Sequence, residues 1–185
     1  MKRILDILIA AVALVIFSPV LVVTAIAIAA TSPGGALFCQ TRVGKGCKPF
    51  TIYKFRSMRK DAPAVGPHFT SADDPRITKI GRIIRKTSID ELPQLLNVLA
   101  GQMSIVGPRP DTPKQESDYS PEDWKERHRV RPGITGLAQC KLRSAATPEQ
   151  RTAMDLEYVR TSSLLLDLKI VVWTAQLVLG RRGAN

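Results

Sequence analysis

The feature that most constrains this chain is an unbroken apolar segment at its N-terminal end. Between residues 4 and 38 only Asp6 carries a charge, and residues 4–30 are almost all aliphatic. At about 1.5 Å per residue a helix of this length is roughly 40 Å long, enough to cross a hydrocarbon core of about 30 Å. We therefore expect the chain at a membrane and not as a fully soluble protein.

Three interpretations of this segment are open. A signal peptide explains Lys2 and Arg3, but its apolar part is usually only about 7–15 residues long. A spanning helix fits the length. A re-entrant helix that bends at Ser18-Pro19 and returns to the same face fits the basic residues on both flanks, because such residues favour the cytoplasmic side. Pro19 removes one backbone hydrogen bond, and the Ser18 hydroxyl is suited to satisfy the freed group.

The charge of the chain is concentrated directly after the apolar segment. The formal net charge is +11, and residues 42–86 hold 12 basic and 3 acidic residues, a net of +9. Such a block suits anionic lipid headgroups, phosphorylated substrates or nucleic acid. Cys39, Cys47 and Cys140 show no Cys-x-x-Cys spacing, so neither a zinc site nor a disulfide framework is expected.

The rest of the sequence predicts an α+β fold, a predominantly helical domain with a small β-hairpin and amphipathic surface helices. The hairpin is predicted from two apolar-rich runs, 36–43 and 49–58, joined through Gly44-Lys45-Gly46. Residues 107–113 and 131–136 are rich in Pro and Gly and are predicted as connections. Helices are predicted from apolar spacing at residues 80–86, 91–99, 147–160 and 163–180.

The clearest candidate for chemistry is the string Asp90-Glu91-Leu92-Pro93. Pro93 is tolerated only in the first turn of a helix, which predicts Asp90 as the N-cap and Glu91 as a complement to the helix dipole. The same arrangement also suits catalysis. An ionised Asp90 facing a phosphate is able to attack phosphorus if a divalent cation offsets the charge, and Glu91 is suited to bind that metal.

Cationic side chains near this string favour a phosphate-bearing substrate. Lys54 and Arg56 are predicted on one face of a strand, and Arg85 comes five residues before Asp90. Arg109 stands between two prolines that restrict its backbone, which lowers the entropy lost on anion binding. Further candidates for substrate or metal contacts, with a structural or surface role as the alternative, are Arg131, Asp155 and Asp167.

Several motifs, in order along essentially the whole chain, resemble the monotopic phosphoglycosyl transferases, the bacterial sugar transferase family. They are Ser18-Pro19, Ile52 to Met58, Asp90 to Leu99, Met103 to Pro110, Arg131 to Gln139, the helix of Asp155, and Leu166 to Lys169. Where many members carry an Asn-Gly-Arg-Asn-like stretch, this chain has Cys140 to Ser144 and retains an arginine at Arg143.

The resemblance implies a two-step reaction on a membrane. Asp90 attacks the β-phosphorus of a UDP-sugar and expels UMP, and polyprenol (undecaprenyl) phosphate then takes the phospho-sugar from Asp90. The resemblance further implies Mg²⁺ at Asp90 and Glu91, polyprenol phosphate at Arg85, and substrate contacts from the other basic candidates, Arg143 included. It places the protein at the bacterial inner membrane, with a re-entrant helix over residues 1–33 and a cytoplasmic catalytic domain over residues 34–185.

Two other classes of function are weighed against this one. A membrane-tethered nucleic-acid-binding module would use the basic block, but no nucleic-acid motif is found, and nucleic acid is not expected as a partner. A non-catalytic membrane scaffold leaves the ordered motifs unexplained. Anionic lipids are expected as partners, and a homodimer is compatible with the sequence. The chain looks like a minimal member that lacks the additional transmembrane bundle of longer relatives.

Overall fold

The computed structural model describes residues 1–62, 74–142 and 146–179, and within these ranges the chain is mostly helical with two small sheets. The helices are α1 Lys2–Thr31, α2 Lys79–Lys86, α3 Gln94–Leu99, α4 Pro121–Arg127, α5 Leu137–Lys141, α6 Pro148–Thr161 and α7 Leu164–Leu179. The strands are β1 Leu37–Val43, β2 Pro49–Phe55, β3 Ser104–Val106 and β4 Gly133–Thr135. Short 3-10 turns lie at Lys45–Cys47, Ile89–Glu91 and Pro113–Asp118.

Helix α1 runs without interruption through Pro19. The missing N–H of Pro19 leaves the carbonyl of Val15 without its helical partner, and the Ser18 hydroxyl donates a hydrogen bond to that carbonyl at 2.8 Å. Ser18 therefore satisfies the freed group in the way the sequence predicts. Among the described residues α1 is the one helix long and apolar enough to cross a membrane. A bend at Ser18-Pro19 stays a prediction.

The first turns of α1 are bonded to the rest of the chain through charged side chains. The buried carboxylate of Asp6 accepts hydrogen bonds from the Ser104 hydroxyl at 2.8 Å and from the Ile105 N–H at 3.1 Å. Arg3 donates to the carbonyls of Val98 and Leu99, at the C-terminal end of α3. These groups anchor the N-terminal end of α1 on the domain.

The other end of α1 packs on the same domain through apolar contacts. Ile28, only 1% exposed, forms a cluster with Phe55 of β2 and Ile84 of α2. Near the first end, Ala10 lies in a second cluster with residues of β2 and α3. Between these contacts α1 leaves a broad apolar face uncovered, with Val15 74% and Ile16 64% exposed.

Two other helices also expose apolar side chains. Ile83 of α2 is 64% exposed, although Ile84 beside it is buried. In α7, Leu165, Leu168 and Val172 face outward on one side of the helix, while Ile170 is buried against the domain. The prediction of amphipathic surface helices agrees with these exposures.

The predicted hairpin is confirmed. β1 and β2 pair antiparallel from Leu37 opposite Phe55 to Val43 opposite Pro49, around the 3-10 turn at Lys45–Cys47. The second sheet is not predicted by the sequence: β3 and β4 pair in parallel, with Ser104 opposite Gly133 and Val106 opposite Thr135. Residues 131–136 are therefore partly a strand, and their prediction as a connection is wrong.

Two glycines explain why this short parallel pair forms. Where β3 ends, Gly107 lies so close to Gly133 that a Cβ atom on either residue would collide with the other's backbone. The approach allows the Gly107 N–H to donate to the Thr135 carbonyl and the Gly133 N–H to donate to the Pro108 carbonyl, both at 2.9 Å. Only glycine permits this contact, so the motifs around residues 107 and 133 form one unit.

Asn97 joins α3 to the hairpin. Its side chain is fully buried, and its Oδ1 accepts the Tyr53 N–H at 3.0 Å while its Nδ2 donates to the Thr51 carbonyl at 2.7 Å. The Nδ2 also donates to Gln102 Oε1 at 2.7 Å. The amide thus bonds β2 as a neighbouring strand would. It fixes the strand that carries Lys54 against the segment that carries Asp90.

We predict that Asn97→Ala lowers the free energy of unfolding by about 2–4 kcal/mol, because it leaves a cavity at a fully buried position and removes the partners of the part-buried Tyr53 N–H and Thr51 carbonyl. The control is Gln102→Ala, which removes one of the three bonds and is expected to cost about 1 kcal/mol. Thermal unfolding in detergent measures both. Equal losses for the two variants would contradict the strand-like role of Asn97.

Candidate active site

The Asp90-Glu91 string lies in a tight turn and not at the start of a regular helix. Ser88 adopts a left-handed conformation with φ 56°, the 3-10 turn covers Ile89–Glu91, and α3 begins at Gln94 with Pro93 before it. Ser88 and Pro93 stand at the capping positions of the turn and of α3, and neither makes a side-chain cap bond. The prediction that Asp90 is the helix N-cap is therefore wrong, and no backbone N–H of the described residues donates to its carboxylate.

Glu91 is the centre of an ion-pair cluster. Its Oε1 accepts a hydrogen bond from Lys54 Nζ at 2.7 Å and another from Arg109 Nη2 at 3.0 Å. Burial raises the pKa of Glu91, but Arg109 and Lys54 lower it more, to about 2. Burial is also the main reason that the pKa of Lys54 is lowered. Three sequence-predicted residues thus come together from β2, the 3-10 turn and the loop after β3.

Asp90 differs from Glu91 because its carboxylate has no hydrogen bond or ion pair with any described residue, although Asp90 is only partly exposed. Burial, together with the charge of Glu91, raises the pKa of Asp90 to about 6, against the opposing effect of Lys54, Arg85 and Arg109. Asp90 is therefore mostly ionised at neutral pH and remains more basic than an ordinary aspartate. An unpaired carboxylate of this kind is suited to act as a nucleophile.

Positive charge exceeds negative charge around Asp90 and Glu91. Arg85 acts electrostatically on Asp90, as Lys54 and Arg109 do. Arg42 of β1, which the sequence analysis did not select, belongs to the same group, since burial and the nearby Arg109 lower its pKa to about 10 while Glu91 opposes that shift. Four cations thus face two carboxylates, which favours the binding of an anion with two or more charges. In the sequence Arg42 is one of several basic residues that follow the apolar segment, and only the hairpin register, which places it opposite Phe50, distinguishes it.

Two other predicted basic residues have structural partners elsewhere and are not brought to Asp90. Arg56 donates to the carbonyls of Gly35 and Leu37, and Arg131 donates to the Gly101 carbonyl. Their roles as substrate contacts stay predictions.

The two acidic candidates are bonded inside the domain. Asp155 is buried and accepts hydrogen bonds from Arg127. Asp167 pairs with Lys2 at 2.6 Å and accepts a hydrogen bond from the Tyr158 hydroxyl at 2.7 Å. Arg143 lies outside the described residues. The substrate contacts predicted for these three residues are likewise still predictions.

The Mg²⁺ that the resemblance implies would lie at Asp90 and Glu91. Within the described ranges no group of three or more His, Cys, Asp and Glu side chains forms a metal site. Mg²⁺ does not need one, because it keeps several waters and is commonly held by one or two carboxylates together with substrate phosphates. Asp90 and the Oε2 atom of Glu91, which accepts no hydrogen bond from the part of the chain that the structure describes, meet that requirement.

Comparison with known proteins gives one family and several relatives. The family model described as "Bacterial sugar transferase" matches residues 1–181. A UDP-glucose:undecaprenyl-phosphate glucose-1-phosphate transferase of Caulobacter vibrioides is 46% identical over 187 residues, which cover 96% of this chain and 69% of the relative. An exopolysaccharide production protein PSS of Rhizobium leguminosarum is 46% identical over 186 residues, covering 94% of this chain and 92% of the relative.

The name of a third relative specifies a different sugar. It is a UDP-N-acetylgalactosamine-undecaprenyl-phosphate N-acetylgalactosaminephosphotransferase of Aeromonas hydrophila, 43% identical over 189 residues. The match covers 100% of this chain but 45% of the relative, so the chain spans under half of that protein.

We predict that Asp90→Asn stabilises the metal-free protein. The folded-state pKa of about 6 lies above the ordinary 3.8, so ionised Asp90 costs folding free energy at pH 8, and the cost disappears as pH falls from about 6 to 4. In EDTA the variant should gain about 1–2 kcal/mol at pH 8 and little at pH 4. Thermal unfolding in detergent is the measurement, with the exposed Asp118→Asn as the control. A gain that does not depend on pH would contradict the assignment.

Proposed function

Because the chain belongs to the bacterial sugar transferase family, we propose that it transfers a phospho-sugar from a UDP-sugar to undecaprenyl phosphate or a similar polyprenol phosphate. The observation that carries the proposal is Asp90, an ionised carboxylate with no bonding partner among the described residues, inside a site where cations outnumber carboxylates. The names of the relatives supply the substrates: a UDP-sugar as donor and undecaprenyl phosphate as acceptor.

In the first step an oxygen atom of Asp90 attacks the β-phosphorus of the UDP-sugar. A bond forms between that oxygen and phosphorus, the bond from the β-phosphorus to the bridging oxygen breaks, and UMP leaves with the electron pair. Lys54, Arg109 and Arg42 face this position and compensate the charge of the diphosphate. The raised basicity of Asp90 favours the attack, since a more basic carboxylate is a better nucleophile.

In the second step a phosphate oxygen of the polyprenol phosphate attacks the same phosphorus and displaces Asp90. The products are a polyprenol-diphosphate-linked sugar and the free carboxylate. Arg85 is proposed to hold the incoming phosphate, because it lies on α2, acts on Asp90 and belongs to a helix that exposes Ile83. Mg²⁺ bound at Asp90 and Glu91 would reduce the repulsion between the carboxylates and the substrate phosphates.

The membrane arrangement proposed is a re-entrant α1 with both ends on the cytoplasmic face of the inner membrane. Two groups of contacts support it. Arg3 and Asp6 at one end, and Ile28 near the other, contact the same folded domain, which favours a placement of both ends on one side of the membrane. The basic residues 42–86 would then lie against anionic lipid headgroups.

We predict that purified protein with Mg²⁺ and a suitable UDP-sugar releases UMP and retains a radiolabelled phospho-sugar, and that Asp90→Asn abolishes both. A panel of UDP-sugars is needed, because relatives of similar identity name glucose or N-acetylgalactosamine. Asp118→Asn is the matched control and should keep full activity. Labelling that persists in Asp90→Asn would exclude Asp90 as the nucleophile.

Topology is tested with two single cysteines in a variant whose native cysteines are serines. One cysteine is fused ahead of Met1, and the other replaces the exposed Glu122 of α4. In inside-out vesicles a membrane-impermeant maleimide should label both, and in intact spheroplasts neither. Labelling of the two positions from opposite sides would mean that α1 spans the membrane.

A further inference from the structure

The loop that carries Arg109 is held at every backbone carbonyl from Pro108 to Asp111. These four consecutive groups each accept a hydrogen bond, at 2.8–2.9 Å, and the donors come from three parts of the chain. The donors, in the order of the carbonyls, are the Gly133 N–H, the Arg127 guanidinium, the Arg42 guanidinium and the Val43 N–H. Two prolines in the same loop have fixed φ angles, so its backbone has little freedom left.

Two of these four donors are charged side chains, and Arg127 is the more deeply buried of the two. Only 4% of it is exposed, and its Nε and Nη2 atoms donate to Asp155 Oδ2 at 3.1 and 2.7 Å. Its Nη1 pairs with Asp111, which also accepts a hydrogen bond from the Tyr119 hydroxyl. The two carboxylates fix the guanidinium plane, and the same Nη2 donates to the Arg109 carbonyl at 2.8 Å.

A buried ion cluster of this kind is costly to desolvate, so stability alone is a weak reason for its presence. The helices that it joins already share another ion pair: Arg160 of α6 binds Glu126 of α4 with two hydrogen bonds, at 2.9 and 2.7 Å. That outer pair has no bond to the Arg109 loop, whereas the Arg127 cluster reaches the active site through the Arg109 carbonyl. Beyond this carbonyl, the Arg109 side chain, about half exposed, extends to Glu91.

We propose that Arg127, held by Asp155 and Asp111, is a positioning residue for Arg109. It fixes the backbone of Arg109, so that the guanidinium stays beside Glu91 and faces the diphosphate of the nucleotide-sugar. Asp155 then acts through Arg127 and does not contact the substrate. The substrate named in this inference rests on the proposed function, whereas the contacts of Arg127 with Asp155, Asp111 and the Arg109 carbonyl are those of the protein itself.

The test is a double-mutant cycle on UMP release. Arg127→Lys and Asp155→Asn are each measured alone and together with Arg109→Ala. If Arg127→Lys does not fold, Asp155→Asn alone is used, since asparagine keeps the size of aspartate and an acceptor oxygen for Arg127. Each should lower kcat/KM by about tenfold or more alone, and by no more than about twofold when Arg109 is already alanine. Arg160→Lys, which weakens the outer pair between the same helices, should change kcat/KM less than about twofold. Losses of equal size in both backgrounds would overturn the proposal, because a merely structural role is additive.

A binding measurement separates this inference from the proposed function. Inorganic pyrophosphate serves as the probe, and its affinity for the full chain in detergent is measured for the same variants. Weaker binding in Arg109→Ala and Arg127→Lys, with no further loss in the double variant, supports positioning even if the wild-type protein releases no UMP from any UDP-sugar. Any other pattern of pyrophosphate affinities overturns the positioning role, whatever the transferase activity.

Discussion

The site depends on one carboxylate oxygen, Glu91 Oε1, which binds two cations from different parts of the chain. Lys54 comes from the hairpin and Arg109 from the loop after β3, and Glu91 itself lies in the turn between α2 and α3. Because Lys54 and Arg109 both bond to Glu91, the Asp90 carboxylate beside it has no bonding partner among the described residues. The pKa values of the two neighbours diverge, because burial and the charge of Glu91 raise that of Asp90 to about 6, whereas Arg109 and Lys54 outweigh burial and lower that of Glu91 to about 2. Adjacent carboxylates therefore have different chemistry.

The remaining structure fixes the three segments that meet at Glu91. Asn97 bonds the hairpin to α3, the close approach of Gly107 and Gly133 sets where the Arg109 loop begins, and Arg127 holds that loop from the interior. Helix α1 is bonded to the same β3 strand through Asp6. Helix α1 and the site thus share a support, which is a physical reason for the first turns of this apolar helix to carry three charged residues.

The sequence predicts most of the fold and part of the site. Apolar spacing is a local signal, and it correctly predicts the hairpin, α2 and the two C-terminal helices. It misses β3 and β4, because each has three residues and the pair depends on a contact between glycines far apart in the chain. The sequence also predicts Asp90 as the N-cap, since nothing in it shows that the Ser88 backbone adopts a left-handed conformation. Asp90, Glu91, Lys54 and Arg109 are predicted and found together, whereas Arg42 and Arg127 are missed because burial and long-range contacts define them.

The amide of Asn97 has a further consequence for the state of the chain in the cell. A two-stranded sheet is marginally stable alone, and its unpaired edges are templates for strands of other molecules. By occupying the Tyr53 N–H and the Thr51 carbonyl, Asn97 blocks the middle of the outer edge of β2. A chain that has not yet closed α3 onto the hairpin presents that edge, rich in aromatic and β-branched residues, beside its apolar helix. Closing of this contact therefore removes one template for strand pairing between molecules.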